Sequence, residues 1–399
     1  LVAIDVGTTK ICVLIAEQLS SQQFEIIGIG KAPSLGLARG VIVDVVAAVQ
    51  SIRAAIQEAE LMAGITVDSA VIGISGGHIQ SFNSQGMVAI RSGQITPYDI
   101  AQAIAAAKAF PIPDGQYILH ALPQFFNIDS ALQVRDPLGM HGVRLEVQVH
   151  IITGGLSSVQ NLVRCCEAAG VKVQDIILEP LASAQAVLSK DEQELGVGVL
   201  DIGGGTSDLA LYQAGSIRHT KVFPIAGNLF THDIAVCLRA PVPEAERLKK
   251  TFACVLSQPN TKISALNADH DTVQEIDSED LSAIVEARAY ELLLLVHKEL
   301  HDNKLLSFIP TGLVITGGGS LLQGIAPMAQ QVLGIPTRIG KTRVPEHIKS
   351  SLQSPIYATG YGLLVYAQSH SKGSILELSQ GSITHRIFAR MKSWVSDFF

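Results

Sequence analysis

The sequence predicts an α/β fold in two related lobes, and three observations carry that prediction. A strand that delivers an aspartate into a Gly/Thr turn occurs twice, as Ile4-Asp5-Val6-Gly7-Thr8-Thr9 and as Leu200-Asp201-Ile202-Gly203-Gly204-Gly205-Thr206-Ser207-Asp208. Apolar β-rich runs alternate with segments of helical periodicity along most of the chain. At 399 residues the chain is too long for one ordinary core, and its 47% hydrophobic content supports large buried sheets.

The apolar runs 2–4 and 11–15 flank the first turn, and 197–200 and 209–212 flank the second, so each reads as a β-hairpin with function at its tip. Residues 44–63 carry Val45, Val49, Ile52 and Ile56 at helical spacing, with Asp44 as N-cap and Gly64 as the stop. A strand follows at 71–74. Between about Gly76 and Thr153 the character changes: strands at 87–91, 117–123 and 143–152 surround one Ala-rich helix at 97–109, which reads as an inserted subdomain. The main pattern resumes with a helix at 157–169 stopped by Gly170, a strand at 173–178 and a helix through 179–188. Beyond the second hairpin, 228–238 and 243–255 read as helices, 258–277 as a polar stretch and 278–302 as a long helix. A strand at 312–316 runs into Gly317-Gly318-Gly319, with Ser320 placed to cap a helix starting at Leu321.

The bulk charge excludes some function classes. Charged residues make up 16% of the chain, 29 Lys+Arg stand against 36 Asp+Glu, and the net charge of −7 gives no electrostatic case for nucleic acid. Cys12, Cys165, Cys166, Cys237 and Cys254 form no Cys-x-x-Cys pair and sit in apolar contexts, as expected of reduced, buried thiols in a cytosolic protein. No stretch reaches the apolar length of a transmembrane helix. The first hairpin begins almost at Leu1, leaving no room for a signal peptide, and the absent initiator Met suggests that the natural chain starts slightly earlier.

The two hairpins have the chemistry of phosphate clamps. Glycine lets backbone N–H groups approach an anion, threonine adds hydroxyl donors, and a neighbouring carboxylate can hold a hydrated divalent metal. Taken alone, Asp5-x-Gly7-Thr8-Thr9 also suits a plain turn. Three successive glycines after Asp201 cost backbone entropy that a plain turn need not incur. The sequence from Gly334 to Gly340-Lys341-Thr342 imitates a Walker A loop, but it has one residue too many between its glycines and Pro345 interrupts any following helix. It reads as a strand and loop.

The Asp-x-Gly clamps and the third glycine loop resemble the actin, heat-shock ATPase and sugar kinase superfamily. Over nearly its whole length the chain resembles the FtsA family of actin-like bacterial division proteins. Glu179-Pro180-Leu181-Ala182-Ser183-Ala184 and Tyr357-Ala358-Thr359-Gly360 are similar to the family's connecting helices, and Ala226-Gly227-Asn228 and Ala245-Glu246-x-x-Lys249 to its nucleotide-facing helices. The resemblance implies an actin-like (ribonuclease H-like) duplicated two-lobe fold with a nucleotide cleft, ATP and Mg²⁺ as ligands, and at most weak ATPase activity. Its lobe 1 core (1A) would comprise 1–75, 154–190 and 355–368, and its lobe 2 core (2A) 191–230 and 304–354. Residues 76–153 would form a 1C-type insertion and 231–303 subdomain 2B.

Residue by residue, the resemblance implies that Gly7, Thr8, Thr9, Gly203, Gly204, Gly205 and Thr206 approach phosphates, with Lys10 adding charge there. Asp5 and Asp201 would hold Mg²⁺ through water, with Asp208 beside them. Gly227 and Asn228 would face the nucleotide, Glu246 and Lys249 the ribose, and Gly317, Gly318 and Gly319 the adenosine. Glu179 matches a residue that superfamily members place near the attacking water. Arg288 and Glu291 on the 278–302 helix would contact the C-terminal peptide of the tubulin-like FtsZ. Further partners implied are copies of the chain itself, in a polymer, and later divisome membrane proteins.

The C-terminal segment has its own signature. A polar linker at 369–382 precedes 383–399, where Ile383, Ile387, Met391, Trp394 and Phe398 form one helical stripe widened by Phe388 and Val395. Arg386, Arg390 and Lys392 flank it, a composition suited to the interface of an anionic bilayer or, alternatively, to docking on the protein's own core. With the resemblance, it reads as a membrane-targeting helix that places the protein peripherally on the cytoplasmic face of the inner membrane at the septum. The rival functions are a small-molecule kinase and a PilM-type pilus scaffold using the same ATP clamp.

Overall fold

The computed structural model describes residues 1–20, 23–129, 133–256, 261–269, 272–344 and 350–370. The amphipathic segment 383–399, and the linker beyond residue 370, lie outside them. The first lobe grows from a hairpin of β1 (Val2–Val6) and β2 (Lys10–Gln18), in register from Val2↔Ile15 to Val6↔Ile11. Strand β3 (Phe24–Pro33) extends the meander, and a short ladder of β4 (Leu37–Ala38) with β5 (Val41–Ile42) leads to helix α1 (Val45–Ala63). Asp44 caps α1 by accepting the Ala47 N–H at 3.1 Å, and the buried stripe Ala48, Ile52, Ala55, Ile56 and Ala59 faces the sheet. Strand β6 (Ser69–Ile74) then runs parallel to β1.

The insertion consists of β7 (Gln80–Ala89), α2 (Pro97–Lys108), β8 (Gln116–Ile128) and β9 (Arg144–Gly155), an antiparallel sheet in the order β7-β9-β8 with α2 packed against it. Thr96 and Asp99 start α2 with a reciprocal capping box. Ile95, Ile100, Ile104, Leu145, Val147 and Ile151 belong to a core separate from those of the lobes. The chain returns to the first lobe through α3 (Leu156–Ala168), β10 (Lys172–Leu178), α4 (Glu179–Val187) and the short α5 (Lys190–Leu195). Parallel pairing of β10 with β6 completes a sheet ordered β3-β2-β1-β6-β10.

The second lobe repeats this plan. Strands β11 (Val197–Ile202), β12 (Ser207–Gln213) and β13 (Ser216–Phe223) form the meander. Then come α6 (Gly227–Cys237), α7 (Val242–Phe252), the hairpin of β14 (Lys262–Leu266) with β15 (Val273–Asp277), and α8 (Ser278–Asp302). Strand β16 (Leu313–Thr316), helix α9 (Ile325–Leu333) and strand β17 (Thr337–Ile339) give a sheet ordered β13-β12-β11-β16-β17, the same layout as in the first lobe. Helix α10 (Ala358–His370) packs on α4, β1 and β2, tying the end of the described chain to its beginning.

Three expectations are corrected. The polar stretch 258–277 contains the β14–β15 hairpin, whose buried apolar positions, Ile263, Ala265 and Ile276, are too sparse to announce strands. Ser320 does not cap a helix: residues Gly318–Leu321 form a 3₁₀ turn in which its hydroxyl donates to Gly317 O at 2.7 Å, and α9 starts later, after Gly324. Cys237, in the last turn of α6, is exposed, whereas Cys12, Cys165, Cys166 and Cys254 are buried.

Candidate nucleotide cleft

The two hairpins meet tip to tip. A Cβ on Gly204 would run into Thr9 Oγ1 and one on Gly205 into Thr8 Oγ1, so only glycine permits this approach of the second turn to the first. Thr8 Oγ1 also accepts the Gly40 N–H at 2.9 Å, and Thr9 Oγ1 donates to Asn228 Oδ1 at 3.1 Å. The first turn of α6 is seated on the glycine loop, with Gly227 N–H donating to Gly203 O at 3.0 Å and Asn228 N–H to Gly204 O at 2.8 Å.

Behind the tips lie Asp5 and Asp201, which end the paired central strands, together with Asp208 and Glu179. Each hairpin places a residue opposite its aspartate: Cys12 faces Asp5, and Asp208 faces Asp201. Asp201 is anchored by hydroxyls from both connecting helices, Ser183 of α4 and Thr359 of α10, the latter at 3.1 Å. Asp208 accepts from Ser75 Oγ at 2.6 Å and from Thr206 Oγ1 at 3.1 Å. Glu179 opens α4, its side chain beside Gly73 at a small cavity also lined by Val6, Ser75, His78 and Ser158.

Burial dominates the electrostatics of this group. Removal from water, reinforced by the charge of Asp201, pushes the carboxyl of Asp5 up to about 6 and that of Asp208 up to about 7. Burial also raises Asp201, and it lifts Glu179 well above the ordinary range with added repulsion from Asp5, Asp208 and Asp201. The Lys10 ammonium offsets part of this at Asp5 and Asp201. Lys10 Nζ itself donates to Ile356 O at 2.6 Å and lies over the Tyr357 ring.

The other site residues converge on the same place. Lys249 Nζ pairs with Glu246 at 2.6 Å and donates to Gly227 O and Thr231 Oγ1, linking α7 to the start of α6. Gly317 holds a φ of +80°, and a Cβ there would strike Asp201 Oδ1, so the third glycine loop lies directly against the Asp201 carboxylate. The structure thus gathers Asp5, Gly7, Thr8, Thr9, Lys10, Glu179, Asp201, Gly203, Gly204, Gly205, Thr206, Asp208, Gly227, Asn228, Glu246, Lys249, Gly317, Gly318 and Gly319 around one junction between the lobes.

Arg288 and Glu291 stand apart, on α8. Arg288 is held by Asp233 through Nε at 2.6 Å and Nη2 at 2.9 Å, and by Glu291. The sequence did not single out Ser75 or Thr231, and it marked Ser183 and Thr359 only as members of motifs. Their hydroxyls position the carboxylates and the lysine–glutamate pair.

The donor set fits a hydrated divalent cation bearing a polyphosphate: several buried carboxylates face each other with little positive charge, beside glycine turns and threonine hydroxyls. Among the described residues no three His, Cys, Asp or Glu side chains are grouped for direct ligation of a metal. No helix among them is long and apolar enough to cross a membrane.

The family described as "Cell division protein FtsA" matches residues 198–362, and the one described as "SHS2 domain inserted in FTSA" matches residues 76–153. The cell division protein FtsA of Pseudomonas aeruginosa is 42% identical over 408 residues, covering 100% of this chain and 98% of that protein. That of Escherichia coli K12 is 35% identical over 405 residues, covering 99% and 95%. Among solved structures, the PilM-PilN type IV pilus biogenesis complex aligns with a TM-score of 0.66 at 18% identity, covering 92% of this chain and 98% of that one. MreB5 of Spiroplasma citri bound to ADP aligns with 0.56 at 16% identity (93% and 97% covered), and the MamK double helical filament with 0.52 at 12% (91% and 98% covered). At these identities the structural likeness shows the fold alone, which is actin-like, with an inserted SHS2 domain.

Proposed function

The chain belongs to the FtsA family of cell division proteins, and we propose that it is an ATP-binding, self-assembling adaptor that tethers the FtsZ polymer to the membrane at the septum. The single observation that carries the nucleotide part is the abutment of the two glycine-tipped hairpins over Asp5, Asp201 and Asp208. When bound, Mg²⁺ would neutralise the triphosphate and the carboxylates around it. The chain's own residues then have distinct tasks. Thr8 and the backbone of Gly204 and Gly205 would offer donors to phosphate, Thr9 and Thr206 would exchange their present acceptors, Asn228 and Asp208, for it, Asp5 and Asp201 would orient the metal's waters, and the Glu246–Lys249 pair with Gly317 to Gly319 would hold the nucleoside. Glu179, placed beside the carboxylates, would orient a water, with slow turnover at most.

MreB5, a structural neighbour, is bound to ADP, and MamK forms a double helical filament; both are consistent with a nucleotide-dependent polymer here. The 383–399 segment supplies the membrane contact on the cytoplasmic face of the inner membrane, and the outer side of α8 around Arg288 and Glu291 the contact with the C-terminal peptide of FtsZ. Later divisome membrane proteins would join through the insertion. A reconstitution tests the whole reading: the protein is mixed with anionic vesicles, Mg²⁺–ATP and FtsZ, sedimented, and imaged by electron microscopy. The expected result is filaments on vesicles that bring FtsZ into the pellet only when the protein is present. Dispersed monomers in ATP, or FtsZ left in the supernatant, would contradict it.

A further inference from the structure

We propose that the inserted subdomain is a strap that steadies the second hairpin, so that displacing the insertion loosens the nucleotide cleft; the inference rests on the nucleotide reading above and assigns that site a means of regulation. Strand β13 is an edge of the second sheet, with main-chain groups that need partners. Two strands of the insertion, β7 and β8, supply them. Ser81 Oγ on β7 donates to Thr220 O at 2.8 Å, Asn83 Nδ2 to Arg218 O at 3.4 Å, and Gln124 Nε2 on β8 to Ile217 O at 2.8 Å.

A buried histidine completes the contact. Burial, assisted by His219, pushes His150 on β9 down to about 3, so its ring is neutral and has one donor. Asn83 Oδ1 accepts from Gln124 Nε2 at 3.2 Å and is 2.7 Å from His150 Nδ1, which therefore donates to it. His150 Nε2 is left to accept from the Thr220 hydroxyl at 3.0 Å. Donors and acceptors thus match around the His150 ring.

The strap closes a ring that includes the cleft. Thr220 pairs with Ala210 on β12, two residues from Asp208, a distance of about 7 Å along the strand. Asp208 in turn accepts from Ser75, which lies at the root of the insertion between β6 and β7. A shift of the insertion against β13 must either break the strap or pull Asp208 from Ser75, because paired strands move together. A neighbouring subunit or a partner that draws on the insertion would therefore act on the clamp.

The test compares the full chain with the double variant Asn83→Ala, Gln124→Ala by hydrogen exchange without nucleotide and by dissociation of N-methylanthraniloyl-ATP. Loss of these hydrogen bonds is expected to speed exchange at residues 201–208 about tenfold and nucleotide dissociation about fivefold, with exchange in α2 unchanged. Exchange at 201–208 within twofold of the parent chain, while β13 itself exchanges faster, would overturn the strap. Should the parent chain fail to bind the analogue, the nucleotide reading falls, and the exchange measurement still decides whether strap and hairpin are linked. If the double variant unfolds throughout, Ser81→Ala, which removes one bond, must reproduce a smaller acceleration at 201–208; no acceleration there also overturns it.

Discussion

Asp201→Asn is expected to weaken Mg²⁺–ATP binding about a hundredfold while raising the melting temperature of the ligand-free protein. The two effects have opposite sign because one charge serves both states. Ser183 and Thr359 donate to the same oxygen of Asp201, Oδ2, so an amide oxygen in that position keeps both bonds. What the amide lacks is the negative charge that orients the metal's waters. Without the metal that charge is a burden, since burial raises Asp201 and its neighbours Asp5, Asp208 and Glu179.

The pH dependence follows from the same direction of shift. A carboxyl raised in the folded state binds more protons there than in the unfolded chain, so its stabilising contribution is greatest below the ordinary carboxylate range, near 4. That contribution declines as pH rises through about 6 for Asp5 and about 7 for Asp208. The ligand-free melting temperature should fall between pH 5 and pH 8, fall less in Asp201→Asn, and fall less again with Mg²⁺–ATP. Calorimetric titration and thermal unfolding across that range check all of this. Unchanged affinity in the variant, or a lower melting temperature at pH 8, would contradict the assignment.

Ending the chain after Ser382 is expected to remove at least nine-tenths of its co-sedimentation with phosphatidylglycerol vesicles. On the proposed reading, the deleted Ile383, Ile387, Phe388, Met391, Trp394, Val395 and Phe398 would supply the apolar contact, and Arg386, Arg390 and Lys392 would add attraction of about 1 kcal/mol each near an anionic surface. A single tail would bind modestly, because interfacial burial is partial and the segment would have to fold on the lipid. An assembled polymer presents many tails and gains through effective concentration, so binding should also drop for a variant that cannot assemble. Vesicle binding that survives the truncation would remove the anchor from the account.

The hairpins were legible because each combines an unusual turn with flanking apolar runs, and α1 because Asp44 and Gly64 bracket a clean periodicity. The insertion declared itself through a change of character at Gly76. Other features had no local signal. Ser183 and Thr359 reach Asp201 from 18 and 158 positions away, and Ser75 reaches Asp208 from 133, so only the folded chain makes them partners. The β14–β15 hairpin was not legible because each strand spans five residues and only Ile263, Ala265 and Ile276 are buried, an apolar signal too short to stand out from a polar loop. The sequence offers Arg288 as a partner contact, yet its guanidinium is engaged by Asp233 on α6, a pairing across helices that spacing does not reveal.

If the turns at 7–9 and 203–206 grip one metal-bound triphosphate, a crystal structure of the protein grown with Mg²⁺ and a non-hydrolysable ATP analogue will hold β- and γ-phosphates between those turns, with a hydrated cation reached by Asp5 and Asp201. A nucleotide bound away from both turns, or phosphates contacting only one of them, would contradict it.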